Sequence, residues 1–137
     1  MVHLDKIKSL TLLAVVLTLF NLACTFTVTM PNQAKFKSLT QLDKELDSLV
    51  HSESNELNGQ WVKVDGKKKS VLKISILNAQ NSGQDQDSQL SLGKTVVHLI
   101  KSSLTDTAQF EIYQISFISK INEGVLTKEK TRTYSFE

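Results

Sequence analysis

Cys24 has the most distinctive chemical setting in this chain, since it is the single cysteine among 137 residues. Its thiol can be modified covalently, but there is no second cysteine with which it could form an internal disulfide. The segment before it, residues 9–23, is uncharged and mostly aliphatic (SLTLLAVVLTLFNLA), and Lys6 and Lys8 precede that segment. A positive flank, an apolar run and a small residue at its end are typical of a secretory signal peptide. We therefore predict that residues 1–23 are a signal peptide.

A lone cysteine directly after an apolar run and a small residue resembles the lipobox of bacterial lipoproteins. The resemblance covers Leu22, Ala23 and Cys24, while Asn21 stands where that family usually has Leu, Val or Ile. In that family the thiol receives a diacylglyceryl group and becomes the mature N-terminus. The resemblance implies that Cys24 is lipidated and holds the protein outside the cytoplasm, at the cell membrane or the outer membrane. The chain contains no N-x-S/T sequon, which fits a bacterial rather than a eukaryotic secreted protein.

Two other interpretations of the N-terminal segment stay open. Residues 9–34 contain no charged residue, so this segment is also compatible with an uncleaved spanning helix. The β-branched and polar residues at 25–29, with Pro31 just after, argue against such a helix. Alternatively, an ordinary signal peptidase cuts after Ala23 and leaves a free cysteine. All three interpretations place residues 35–137 outside the cytoplasm.

Two segments match known binding motifs only in part. Residues 88–95 (SQLSLGKT) end like a phosphate-binding loop, but Ser88 stands where that loop needs a glycine. Moreover, Gly93 lies inside a helical pattern with an apolar face instead of opening a helix. The segment 85–87 (DQD) begins like a calcium loop, but Val96 replaces the glutamate that completes one. We expect no nucleotide site at residues 88–95. At residues 85–87 we expect a solvated polar loop.

The histidines do not form an arrangement suited to acid–base or nucleophilic catalysis. His51 and His98 fall on the polar faces of the predicted helices, where we expect them to be exposed, and His3 belongs to the signal segment. No pattern of Ser, His and Asp with a recognisable catalytic spacing is present. We predict no catalytic residue, no cofactor and no metal ligand.

Two surface features are the candidates for binding. Lys128, Lys130 and Arg132 alternate along the last strand, and a three-residue turn at 122–124 would place them on the sheet face away from the helices. Such a stripe either meets an anionic lipid, a glycan or a protein partner, or protects an exposed strand from pairing with another chain. Trp61 is expected on the same open face. There it is either a binding anchor, or it is covered by the N-terminal tether or packed at the sheet rim.

The spacing of apolar residues predicts two helices. Residues 35–57 have apolar positions that fall on one helical face, and Gly59 is expected to end this helix. Residues 88–104 have a second apolar face, which includes Gly93. The missing side chain of Gly93 would let this helix approach a sheet closely, although glycine costs about 1 kcal/mol in helix propensity.

Two further segments alternate between apolar and polar residues, as the strands of hairpins do. The first hairpin covers residues 61–77 and has three consecutive lysines in its turn region, and the second covers residues 110–136. We predict an α+β fold of order α-β-β-α-β-β, with a four-stranded antiparallel sheet and both helices packed on one face. The folded domain is expected at residues 35–137, after a tether at 24–34 that begins with lipidated Cys24.

Composition limits the functions that are compatible with the chain. With 40% hydrophobic and 22% charged residues, the chain is typical of a folded domain and not of a disordered one. A net charge of +2 does not indicate a nucleic-acid partner. In its signal and its small size, the chain resembles small bacterial lipoproteins. This resemblance implies a membrane partner and does not point to a particular activity. We expect a protein that acts in non-enzymatic binding or assembly. The alternative is a self-associating structural or adhesive protein, and a small hydrolase or transferase is the third hypothesis.

Overall fold

A computed structural model of the chain describes residues 29–64, 66–83 and 85–137. These residues form an α+β fold of two helices and five strands. In chain order they are β1 (Thr29–Pro31), α1 (Leu39–Val50), β2 (Ser54–Val64), β3 (Lys67–Leu77), α2 (Gln86–Ser103), β4 (Ile112–Glu123) and β5 (Leu126–Phe136). A short 3₁₀ turn, Gln80–Ser82, lies between β3 and α2. The α+β class predicted from the sequence is confirmed.

The sheet is mixed, and its strands lie side by side in the order β1-β2-β3-β4-β5. β3 and β4 run parallel, with Val71 opposite Ile112 and Leu77 opposite Ile118, while the other neighbours are antiparallel. The prediction of four antiparallel strands is therefore wrong in strand number and in the direction of this central pair. The physical reason is α2, whose 18 residues return the chain to the end of the sheet where β3 began.

The additional strand comes from the segment predicted as a tether. Thr29 pairs with Val62 and Pro31 with Gln60, and the N–H of Asn32 continues the pairing by donating to the carbonyl of Gly59 at 2.8 Å. A strand of three residues is too short to show an alternation of apolar and polar residues. The sheet therefore includes residues before 35, where the sequence placed the start of the folded domain.

The first helix is shorter than its apolar pattern. The hydroxyl of Ser38 accepts a hydrogen bond from the N–H of Gln41 and caps the start of α1. His51 takes a left-handed conformation, with φ of 45°, and ends the helix there. Leu57 therefore lies in β2, and Gly59 is a strand residue instead of the helix end that the sequence predicted.

A single core lies between both helices and one face of the sheet. The buried side chains that alternate along β3 and β4 point to this face. Parallel pairing places Leu72 beside Tyr113 and Ile74 beside Ile115. The helices contribute their own buried residues, which are Leu42, Leu46, Val50, Val96, Val97 and Ile100. Burial of these apolar side chains is the main source of stability for the fold.

The predicted close approach at Gly93 is confirmed. A β-carbon at this position would lie 3.0 Å from the Cζ atom of Phe136 and 3.8 Å from the Cδ1 atom of Ile115. Any side chain larger than hydrogen would thus press against β5, which explains why a residue of low helix propensity stands in the middle of α2.

Candidate functional site

The β4–β5 hairpin extends past the end of its neighbour β3. The last pair between β3 and β4 is Leu77 with Ile118, whereas β4 continues to Glu123. Asn78 follows β3 and holds the base of the projecting part. Its N–H donates to the carbonyl of Ile118 at 2.8 Å, and its side-chain oxygen accepts from the N–H of Lys120 at 2.7 Å. The far part of the hairpin therefore stands free of the rest of the sheet.

A groove of about 400 Å³ lies beside the projecting hairpin, next to the start of α2. We call it the hairpin groove. Its lining combines apolar, cationic and amide side chains, including those of Gln89, Phe117, Ile121, Lys128, Lys130 and Arg132. Three of these residues are the cations that the sequence singled out, so the structure brings the predicted stripe together with residues of β4 and α2.

The cationic stripe lies on the sheet face that carries the helices, so its predicted placement on the opposite face is wrong. Lys128 stands opposite Ile121, Lys130 opposite Ser119 and Arg132 opposite Phe117. Residues directly opposite in an antiparallel pair share a face, and Phe117 belongs to the core.

The difference comes from the turn. Glu123 pairs with Leu126, so the turn consists of Gly124 and Val125 instead of the three residues 122–124. Gly124 has a φ of 64°, which glycine adopts freely. The resulting pairing is displaced by three residues from the predicted one. An odd displacement moves every side chain of the strand to the other face.

Gln89 forms the floor of the groove and joins α2 to β5. Its side chain is buried, and its carbonyl oxygen accepts hydrogen bonds from the hydroxyl of Tyr134 at 3.1 Å and from Arg132 at 3.4 Å. Its amide nitrogen donates to the carbonyl of Gly83 at 3.3 Å. The sequence interpretation did not identify Gln89 as a site residue. Gln89 lies four residues before Gly93, so both residues lie on the same buried face of the helix. This spacing is the signal that would have identified Gln89.

The electrostatic character of the hairpin groove is positive. Lys128 forms an ion pair with Glu123 at 2.7 Å, with both side chains more than half exposed. Such an exposed pair is worth at most about 1 kcal/mol and is readily exchanged for another partner. The carboxylate of Glu129, which also borders the groove, is paired with Lys120 at 3.6 Å. The cations of the lining can therefore attract a negatively charged group.

Trp61 lies at the other end of the sheet, far from the stripe, and the predicted face is again wrong. Trp61 pairs with Ser70 of β3 and lies on the same face as Leu72. On the other edge of β2, Trp61 pairs with Met30 of β1. The reason is that the lysines at 67–69 belong to β3 and not to the turn, so the hairpin register differs from the predicted one. The Trp61 side chain is half-buried, and the ammonium of Lys68 lies 4.5 Å from the centre of its ring.

Within residues 29–64, 66–83 and 85–137, the histidines and Asp85 lie apart from one another. His51 and His98 are exposed, as predicted. Asp85 caps the start of α2, and the hydrogen bonds it accepts from the hydroxyl and the N–H of Ser88 hold its pKa below the ordinary value. Asp85 therefore stabilises the start of α2. Residues 88–95 lie inside α2, whereas the GKT of a phosphate-binding loop would have to open a helix.

The part of the chain that the structure describes shows neither a metal site nor a membrane-spanning helix. Within it, no group of three or more His, Cys, Asp or Glu side chains is placed to hold a metal ion. Neither of its helices combines the length and the apolar character needed to cross a bilayer. Cys24 and the predicted signal peptide lie outside the described residues.

Compared with known proteins, the chain matches no family model, no curated protein and no solved structure. The arrangement of the hairpin groove is therefore the main guide to function. It combines the exposed apolar side chain of Ile121, the hydrogen-bonded amide of Gln89 and an excess of positive charge.

Proposed function

We propose that this chain is a lipid-anchored, extracytoplasmic lipoprotein whose domain binds a partner protein in the hairpin groove without catalysing a reaction. The anchor is Cys24, as the sequence predicts, and the tether leads from it to β1. The observation that carries the binding role is the projection of the β4–β5 hairpin beyond β3. This projection exposes the inward face of the hairpin, which would otherwise be buried beneath a helix.

The chemistry of the groove favours an acidic protein segment with an apolar side chain. Lys130 forms no ion pair with the described residues, and Lys128 is paired only with the exposed Glu123. Carboxylates of a partner can meet these ammonium groups at the rim of the groove. Ile121 is 58% exposed beside them, so an apolar side chain of the partner can be buried there.

The rigidity of the groove also supports binding. Gln89 ties Tyr134 and Arg132 of β5 to the first turns of α2, so the wall and the floor are held in one arrangement. A site that is organised before its partner arrives loses less conformational entropy on binding.

A peptide-binding experiment tests the proposal. The full-length chain in detergent is titrated with a labelled peptide of alternating Glu and Leu, and with the same peptide carrying Gln in place of Glu. We expect the Glu peptide to bind and the Gln peptide to bind at least about tenfold more weakly, because carboxylates supply the attraction. Lys128→Glu plus Lys130→Glu should weaken binding of the Glu peptide by a similar factor.

Lys67→Glu plus Lys69→Glu is the matched control, because it changes the charge equally at the opposite end of the sheet. It should leave peptide affinity close to that of the unaltered chain. Equal losses from both double variants, or equal binding of both peptides, would show that the groove does not select an acidic segment.

Self-association is a second candidate function, favoured by the exposed edge of the sheet. β5 is the last strand of the sheet and extends over 11 residues, whereas β1 protects part of the edge of β2 at the other side. A long edge strand is a template for pairing with a second copy, although charged residues along β5 oppose it. Light scattering distinguishes the candidates, since edge pairing predicts a dimer whose population rises with protein concentration.

A further inference from the structure

We propose that the end of the sheet near the β2–β3 turn binds the anionic headgroups of the membrane and orients the domain on it. The residues of this lysine-rich surface are Met30, Trp61, Lys63, Lys67, Lys68 and Lys69. The proposal rests on the lipid anchor at Cys24 that the proposed function assigns, but it is independent of the hairpin groove, which lies at the opposite end of the sheet.

The first argument is the place where the N-terminal segment joins the sheet. Thr29 pairs with Val62, directly beside Trp61. Thr29 is five positions after Cys24, a distance of at most about 17 Å even for an extended chain. If Cys24 is held at a bilayer, this end of the sheet must lie close to the headgroups.

The second argument is charge. Segment 61–69 contains four lysines and one aspartate, and none of these lysines forms an ion pair with a described residue. Lys63 stands directly opposite Lys68 in the antiparallel pair. Like charges at directly opposite positions oppose the pairing of strands, so an external anion between them would stabilise this end of the sheet. Juxtamembrane lysines are attracted to the negative surface of a bilayer.

The third argument is the apolar depression between these lysines. It has a volume of about 370 Å³ and is lined by Met30, Trp61, Val62, Lys63 and Lys68. Met30 is 53% exposed, and Trp61 has a lysine ammonium over its ring. A tryptophan with apolar and cationic neighbours suits the headgroup region, where one part of the side chain meets acyl chains and the other meets polar groups.

Charge also distinguishes the bilayer from the other possible occupants. A second copy of this surface would bring like charges together. Residues 1–28 contain a single carboxylate, Asp5, so they cannot neutralise four lysines. A bilayer with anionic lipids satisfies both the ammonium groups and the apolar depression.

The proposal has a consequence for orientation. The hairpin tip at Gly124 lies about 45 Å along the strand direction from Lys69, counted over the end of β3 and the projecting part of β4. With the lysine-rich surface on the membrane, the hairpin groove would stand away from the bilayer and remain accessible.

The experiment uses Trp61 as an intrinsic probe, because it is the single tryptophan of the chain. The full-length chain is reconstituted in vesicles of phosphatidylcholine and in mixed vesicles of phosphatidylcholine and phosphatidylglycerol, each with brominated acyl chains. We expect quenching of Trp61 fluorescence to be at least about threefold greater in the anionic vesicles, and to fall towards the neutral level as salt is added.

Lys67→Glu plus Lys69→Glu should remove most of this difference while keeping the contact between Lys68 and Trp61. Lys128→Glu plus Lys130→Glu is the matched control, since it changes the net charge equally at the far end and should keep the quenching. If the first variant fails to fold, the salt titration of the unaltered chain still decides the question.

Three results would overturn the proposal. They are equal quenching in both kinds of vesicle, loss of quenching in the control variant to the same degree, and shielding of Trp61 that rises with protein concentration in detergent. The last result would assign the surface to a second copy of the chain.

Discussion

The side-chain oxygen of Asn78 accepts a hydrogen bond from the backbone N–H of Lys120 at 2.7 Å. This contact joins the residue after β3 to the part of β4 that extends beyond its pairing with β3. The amide nitrogen of Asn78 also donates to Glu53 at 2.7 Å, so one side chain connects β4 to the start of β2. The projecting hairpin is therefore fastened at its base by a residue in the left-handed conformation, with φ of 51°.

Asn78→Ala should destabilise the fold by about 2 kcal/mol, because it removes two side-chain hydrogen bonds and places alanine at an unfavourable φ. Hydrogen exchange of the Lys120 amide should accelerate. Asn78→Gly relieves the backbone strain but loses the same hydrogen bonds, so its stability loss should be smaller while the exchange rate rises equally. Unchanged protection of Lys120 in both variants would show that Asn78 does not hold the hairpin.

Gly59→Ala should destabilise the protein by about 1–3 kcal/mol, as measured by urea denaturation. A β-carbon at Gly59 would overlap the carbonyl oxygen of Asn32 and lie 2.8 Å from the ring of Phe110. The segment after β1 would have to move away from β2 to admit it. Asn58→Ala, at the exposed neighbouring position, is the control and should have little effect. Equal stability of both variants would contradict the tight packing of Asn32 on β2.

Lys128→Glu plus Lys130→Glu should leave the melting temperature nearly unchanged. Both side chains are exposed, and the ion pair that is lost, between Lys128 and Glu123, contributes at most about 1 kcal/mol. Thermal unfolding followed by circular dichroism measures the effect. A large decrease in melting temperature would show that these lysines are packed against the groove instead of being available to a partner.

Tyr113→Phe should be neutral or stabilising at pH 7 and should make stability less sensitive to alkaline pH. The Tyr113 hydroxyl is buried without a hydrogen-bond partner among the described residues, and leaving such a group unpaired costs about 1–3 kcal/mol. Burial, and then the negative charge of Asp106, raise the pKa of Tyr113 above 10.0.

The sign of the pH effect follows from that direction. Well below pH 10.0 the hydroxyl is protonated in both states, and its titration contributes no change in stability. Above this value the unfolded state loses the proton first, so stability falls until the pH reaches the raised pKa of the folded state. Urea midpoints of both proteins between neutral and alkaline pH measure this fall. A parallel decline in both would show that Tyr113 is not its source.

Local patterns in the chain were sufficient to predict both helices and four of the five strands, but not their bounds. Helical spacing identified α1 and α2, and alternation identified the two hairpins, since these patterns depend only on which side chains must face the core. The end of α1 was missed because Leu57 fits both a helical and a strand pattern. The fifth strand was missed because Thr29–Pro31 is too short to show a pattern.

The candidate site depended on register, which local patterns determine only weakly. Lys128, Lys130 and Arg132 were identified as a set, but their neighbours Gln89 and Phe117 come from parts of the chain that only the folded structure brings together. The predicted face was wrong at both ends of the sheet because each hairpin turn has a different length from the one the sequence indicated.

The order of residues is sufficient to identify an uncharged apolar segment that ends at a lone cysteine, two amphipathic helices, two hairpins and a glycine where a helix meets the sheet. Each of these follows from residue type and spacing over a few neighbouring positions. The tertiary structure alone decided that β3 and β4 run parallel and that the cations and Trp61 share the face of the core. The reason is that side chains alternate across a strand, so a small change in pairing, set by distant contacts, reverses the face of every residue.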